Sequence, residues 1–232
     1  MLNHYARHFD CVELNYTYYS MPNARTIAAI EDKTPPGFRF TVKAHQDMTH
    51  SREAGPEAFS AFVAAMKPLV DREKLGCVLA QFPNSFHPSE DNRAYLRLVR
   101  EQLEPLDVVV EFRHRDWVTR ATMDYLRELG LGYCCVDEPA LPGLMPPVAG
   151  ATGRIGYVRF HGRNAAKWWQ HDEAWERYNY LYTRAELEEW VPKVQKIAAE
   201  AEETYAFFNN HYNAQAVQNA SLFAEMLMDG EE

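Results

Sequence analysis

The sequence predicts an α/β fold, a TIM-barrel-like parallel (β/α) barrel, and three observations carry that expectation. Seven short apolar runs recur along the 232 residues, at 11–15, 38–43, 76–82, 107–112, 132–137, 156–161 and 204–208. They are nearly continuous rather than alternating, as strands covered on both faces require. Helical patterns separate them, giving the order α(βα)7, whose natural sheet is parallel. Each run also ends in a polar or ionisable cluster: Glu13 and Asn15, Lys43, Gln81, Glu111 and Arg113, Asp137, Arg159 and His161, and Asn209 and Asn210. On parallel strands these side chains gather at one rim, where a (β/α) barrel keeps its active site.

The elements follow in order. The chain opens in a helix over 3–9 that leads straight into the first strand. Pro56 and Pro88 stand where helices begin, and Gly130 stops a helix over 119–129. The clearest helix spans 186–201, with Leu187, Trp190, Val191, Val194, Ile197 and Ala201 on one stripe and Thr183 with Glu186 spaced as a capping box. Two long connections break the short-loop rule. One, over 138–154, is rich in proline and glycine. The other, over 162–182, carries Trp168, Trp169, Trp175, Tyr178, Tyr180 and Tyr182 and reads either as a lid over the barrel mouth or as an aromatic loop packed on neighbouring helices.

A count of seven strands predicts a single domain over 1–232 that lacks its first βα unit. Such a sheet has two edges with unpaired backbone groups, so a gap is expected between the first and last strands, which a homo-oligomer would cover.

A hydrophobic fraction of 47% supplies a large core, and the formal charge of −9 disfavours a broad basic face for nucleic acid or an anionic membrane. No run approaches a membrane span and the opening residues lack the pattern of a signal peptide, so a cytoplasmic protein is expected. Cys11, Cys77, Cys134 and Cys135 fall in the strands without ligand spacing and read as buried thiols. No phosphate loop, dinucleotide fingerprint, hydrolase elbow or zincin motif occurs, and no cofactor is evident.

Five blocks carry a resemblance: YARHFDCVELNYTYY at 5–19, TPPGFRFTVKA at 34–44, VEFRHRDW at 110–117, YVRFHGR at 157–163 and FFNN at 207–210. Together they resemble the YecE-like family, the domain of unknown function numbered seventy-two, over almost the whole chain. The resemblance implies a TIM-barrel-like fold and assigns no reaction. Members of that family usually begin one βα unit upstream with a Gly-Thr-Ser-Gly-Trp-like segment, in keeping with the missing strand.

The chemistry at the strand ends points to a small anionic ligand. Lys43, Arg113 and Arg159 offer cations, the arginines with a fork matching phosphate or carboxylate. Against this stands a structural network in which Glu13, Glu111 and Asp137 neutralise them, Arg113 and Glu111 being two residues apart. His161 ends its strand two residues after Arg159 and is suited to proton transfer with Glu111 or Glu13. Lys43 is a candidate for charge stabilisation or, less readily, a Schiff base. Asn15, Gln81, Asn209 and Asn210 provide neutral donors and acceptors for a polar ligand. Glu13, Glu111, Asp137 and His161 form an O/N ligand set for a divalent metal, which the neighbouring cations disfavour.

Two readings follow. One is an enzyme of lyase, hydrolase or isomerase type acting by acid/base chemistry on a phosphorylated or carboxylated substrate, with Glu111 and His161 exchanging protons. The other is a non-catalytic module that binds a metabolite or a nucleic-acid fragment.

Overall fold

The computed structural model describes residues 1–229, and the chain divides into two compact units, Met1–Glu111 and Phe112–Glu232. All seven expected strands are present. No helix among the described residues is long and apolar enough to cross a membrane.

In the first unit four parallel strands pair in chain order: β1 (Cys11–Leu14), β2 (Arg39–Lys43), β3 (Leu75–Gln81) and β4 (Val108–Glu111). Register and the two-residue side-chain period put Glu13, Thr41, Lys43, Leu79, Gln81 and Glu111 on one face of this sheet. Val42, Val78, Ala80 and Val110 occupy the other. Nearly every residue of β2 to β4 is buried, which explains why the runs do not alternate. Helices Ala24–Glu31, Pro56–Ala65 and Glu90–Gln102 begin at Asn23, Gly55 and Ser89. The Asn23 and Ser89 side chains accept from the Thr26 and Asn92 amides, satisfying groups that a helix start leaves open. Ahead of β3, Lys74 makes a buried ion pair with Glu31 at 2.6 Å and also donates to the Thr34 carbonyl at 2.9 Å.

In the second unit β5 (Gly132–Asp137), β6 (Ile155–Phe160) and β7 (Glu203–Phe208) pair in parallel, again in chain order. Phe160 stacks on Phe208 at 4.4 Å and meets Trp190 and Phe223 edge-on, both at 5.3 Å, so this face of the sheet packs on the helical layer. Burial of each such ring contributes about 2 kcal/mol before the entropy of ordering is counted. Val136, Tyr157, Arg159 and Phe207 lie on the opposite face. Helix Arg120–Leu129 is capped by Thr119, whose hydroxyl accepts from the Thr122 amide, and it ends at Gly130, where φ of +67° is left-handed.

Two expectations change in detail. The helix expected over 186–201 is two helices, Arg184–Glu188 and Val191–Glu200. Pro192 explains the break, because it has no N–H to donate and its ring would clash with the Glu188 carbonyl. The capping box forms at the earlier start, with Thr183 and Glu186 bonded reciprocally. The opening helix is one turn, Leu2–Tyr5. A further one-turn helix, Tyr16–Tyr19, follows β1.

Candidate functional site

In the first unit the strand-end residues meet in two pairs. Asn15 Nδ2 donates to Glu13 Oε1 at 2.9 Å at the end of β1. Lys43 Nζ donates to Gln81 Oε1 at 2.8 Å and lies 4.3 Å from the centre of the Tyr18 ring, a cation–π contact. Gln81 turns its Nε2 to the Phe82 carbonyl at 2.8 Å, which fixes the oxygen toward the lysine. Glu111 is opposite Gln81 in the register and fully buried. Lys43, Gln81 and Glu111 thus share one sheet face near the carboxyl ends of their strands, where open and barrel α/β folds place ligands.

In the second unit two carboxylates are committed to internal cations. Arg113 pairs with Glu138 at 2.8 Å, and the other Glu138 oxygen accepts from the Met145 amide, also at 2.8 Å. Asp137 faces the helical layer, on the Phe160 side of the sheet. Its carboxylate accepts from Tyr182 Oη and Trp190 Nε1, both at 2.7 Å, and from Arg163 Nε and Nη2 at 2.9 and 2.7 Å. Hydrogen bonding to Asp137 raises the Arg163 guanidinium further above its ordinary range, and burial pushes the Tyr182 hydroxyl well above that of a free phenol, so both stay donors. Asp137 is therefore turned away from Arg159 and His161 with its lone pairs filled, which takes it out of the metal-ligand set read from the sequence.

Arg159 and His161 stay together. Both are buried; Arg159 projects from the face of β6 opposite Phe160, and His161 follows one residue past the end of that strand. The His161 amide donates to the Asp137 carbonyl at 2.8 Å, extending the ladder one bond past the strand. Asn209 joins them, with Nδ2 at 3.3 Å from His161 Nδ1. Its neighbour Asn210 points elsewhere and donates to the Tyr180 carbonyl at 2.7 Å and to Asn219 Oδ1 at 2.9 Å.

The segment 162–182 forms a strap. Tyr182 Oη accepts from the Gly162 amide at 2.8 Å, and Asn219 exchanges bonds with the Tyr182 backbone at 3.0 and 2.9 Å, so both ends are fastened. Between them are two short 3-10 turns, Ala165–Lys167 and Ala174–Tyr178. Trp175 stacks on Tyr212 at 4.2 Å, and the Tyr178 ring lies 6.3 Å from that of His161. The proline-rich connection 138–154 is irregular and walls a cleft of about 560 Å3 with Arg163 and Glu189.

Sequence reasoning missed Glu138, Arg163, Tyr182 and Trp190 as partners of the strand-end charges. The first pair are ionisable residues one or two positions beyond a strand-end charge, a signal that was there to read. Tyr182 and Trp190 reach Asp137 from elements 45 and 53 residues away, and no local pattern announces them.

Similarity to known proteins bears on the fold and the family. A family model described as Protein of unknown function DUF72 matches residues 1–232. The UPF0759 protein YunF of Bacillus subtilis is 34% identical over 97% of this chain and 86% of its own. The UPF0759 protein YecE of Escherichia coli is 33% identical over 38% of this chain and 33% of its own. A crystal structure of a DUF72 family protein from Thermotoga maritima superposes with a TM-score of 0.86 at 42% identity, covering 95% of this chain and 85% of that one. One from Enterococcus faecalis reaches 0.91 at 29% identity, covering 98% and 88%. The fold class is thus α/β and TIM-barrel-like, with seven parallel strands. The chain belongs to the DUF72 family.

Proposed function

We propose that the chain is an enzyme acting by acid/base chemistry on a small phosphorylated or carboxylated substrate, with Arg159 holding the anionic group and His161 as a proton-handling group. The observation that carries this reading is the pair Arg159 and His161, 1% and 0% exposed and two residues apart at the carboxyl end of β6. A guanidinium fork matches phosphate or carboxylate oxygens, and imidazole is the side chain suited to proton exchange near neutral pH. In the first unit Lys43, steadied by Gln81 and Tyr18, and the buried Glu111 give the strand ends a similar mixture of cation and carboxyl.

A non-catalytic metabolite-binding module draws its support from Asp137 and Glu138, whose carboxylates are already taken by Arg163 and Arg113. The two readings separate by mutation. In an enzyme His161→Asn abolishes turnover with binding kept, whereas a binding module has no turnover to lose.

The first experiment is a thermal-shift panel of phosphorylated and carboxylated metabolites on wild type and Arg159→Ala. A ligand at a hundredfold over its dissociation constant stabilises by about 2.7 kcal/mol, which such a panel resolves. A hit lost in Arg159→Ala supports the reading. No hit, or a hit that persists in the variant, overturns it.

A further inference from the structure

We infer that Arg177 holds an oxyanion along the seam between the strap 162–182 and residues 210–215, where the amide oxygens of Gln215 and Asn210 accept from a hydroxyl of the ligand. The chemistry that fits is an anion that also carries a hydroxyl, as a phosphomonoester does. The inference deepens the proposed function by adding the strap's cation to the site and narrowing the ligand, and it rests on that reading only for the reaction.

Arg177 stands apart from Arg113, Arg163 and Lys167. Arg113 pairs with Glu138, Arg163 with Asp137 and Glu189, and Lys167 with Glu176 at 2.7 Å. Glu176, the acid next to Arg177 in sequence, is thereby engaged elsewhere. The Arg177 guanidinium lies in the corner of two rings set edge to face, its Cζ 5.4 Å from the centre of Trp168 and 6.0 Å from that of Tyr178. The ring faces answer its charge but offer no lone pair to its N–H groups. Nε is buried, and among the described residues nothing accepts from it and no carboxylate pairs with the guanidinium. A charged donor left in that state costs stability, which an oxyanion recovers through a short charge-assisted bond.

Two acceptors on the facing segment are in the same condition. Gln215 Oε1 and Asn210 Oδ1 are buried with no hydrogen-bond partner among the described residues, and Asn210 is fully buried. Their nitrogens are fixed. Gln215 Nε2 donates to Asn179 Oδ1 at 3.1 Å, and Asn210 Nδ2 donates to the Tyr180 carbonyl at 2.7 Å and to Asn219 Oδ1 at 2.9 Å, so neither amide can turn its oxygen elsewhere without losing those bonds. The same bonds set both residues against positions 179 and 180, just after Arg177, and the intervening Tyr178 ring lies 5.9 Å from that of His211. One seam therefore carries an orphaned charged donor and two orphaned acceptors. A bare anion answers only the first and a neutral alcohol only the others; a ligand with both groups answers all three.

The arginine is held in place before any ligand arrives. Asn164 Nδ2 donates to the Glu176 carbonyl at 3.0 Å and to the Asn179 carbonyl at 3.3 Å, which pins the backbone on both sides of Arg177. The stack of Trp175 on Tyr212 fastens the strap to the facing segment. Little ordering is left to be done on binding. The Tyr178 ring that backs the guanidinium is also the one 6.3 Å from the His161 ring, so the seam runs from Arg177 past Tyr178 toward the proton-handling group. Arg177 binds and orients; no bond forms or breaks at it.

The test is a proton–nitrogen correlation spectrum of the arginine Nε–H groups in the full, isotope-labelled chain, titrated near neutral pH with inorganic phosphate and, separately, with sulfate. Phosphate keeps a hydroxyl at that pH and sulfate has none. The Arg177 signal is assigned by its loss in Arg177→Met, the unmoved signals of the other arginines showing that the variant folds. The expected result is a saturable shift of the Arg177 signal with phosphate, binding of sulfate about tenfold weaker, and binding of phosphate about tenfold weaker in Gln215→Leu. An absent or non-saturating response in the wild type means that the seam holds only water and overturns the inference without any variant, as does equal binding of the two anions. The metabolite panel separates this failure from that of the enzyme reading. A hit lost in Arg159→Ala but unchanged in Arg177→Met keeps the enzyme and sinks the seam, whereas a phosphate response at Arg177 with no metabolite hit does the reverse.

Discussion

Asp137 and Arg163 hold one another across 26 residues of chain, through contacts of 2.9 Å from Nε and 2.7 Å from Nη2. The carboxylate closes β5, and the guanidinium follows β6 and also reaches Glu189 at 2.9 Å. A pair built this way, with one member 1% exposed and the other 22%, binds two neighbouring strand exits together from the helical side.

Removing the guanidinium should therefore destabilise far more than the loss of a surface ion pair. Arg163→Met leaves Asp137 charged and buried, with only the tyrosine and indole donors, at a cost of about 3 kcal/mol. Asp137→Asn in the same background should recover part of it. Urea unfolding of the single and double variants measures both effects, and additive losses would show that the pair is not coupled.

Arg113 and Glu138 make a similar arrangement from the irregular connection. Glu138 is shielded completely by its side chain's surroundings, so Arg113→Ala should cost about 3 kcal/mol and loosen the Met145 backbone that the same carboxylate holds. Amide hydrogen exchange at Met145 reads the second effect. Unchanged protection there would mean that the carboxylate keeps its place without the arginine.

Gly156 sits against the helical layer, where a Cβ would come within 2.4 Å of Ile197 Cγ2 and 2.6 Å of Thr204 Oγ1. Gly156→Ala should cost about 1–3 kcal/mol by overpacking. Combined with Ile197→Ala, it should cost less than the two single changes added together. A sum that adds would place the strain elsewhere.

Stability should fall in alkali. Burial pushes the Cys135 thiol from its ordinary 9.0 up to about 12, and it pushes the Tyr95 phenol from 10.0 up to about 12. The folded state holds these protons more tightly than the unfolded one. The stability they contribute is complete below the unfolded values and is lost as pH climbs through the folded ones. Unfolding free energy should decline between about pH 9 and 12, and less steeply in Cys135→Ala. The same burial should leave Cys77, Cys134 and Cys135 unreactive toward a thiol reagent until the chain unfolds.

The strands were legible because burial on both faces writes them as apolar runs, and the residue closing each run was legible as polar. What the sequence could not say is which way those residues turn. Asp137 and Arg159 looked alike at that level, yet the register places one toward Phe160 and Trp190 and the other on the opposite face. The helix stripe over 186–201 was real, but periodicity was blind to Pro192, whose backbone chemistry overrides it. Arg163 and Trp190 reach Asp137 through contacts distant in sequence, which local patterns do not encode. Asn209 read as a ligand group because its type fits one, but no local pattern announced its contact with the His161 imidazole 48 residues away.

The strap over 162–182 is buttoned at both ends, by the Gly162 amide on Tyr182 Oη and by the Tyr182 backbone on Asn219. Its anchors stay close however far its middle swings, so lifting the Trp175 stack from Tyr212 would swing a flap about one axis and would not unravel the chain. Little of the closure entropy of a 20-residue loop would have to be recovered each time it settles back. Such a flap can cycle quickly only if the Asn210 bond to the Tyr180 carbonyl and the Gln215 bond to Asn179 give way with the aromatic stack.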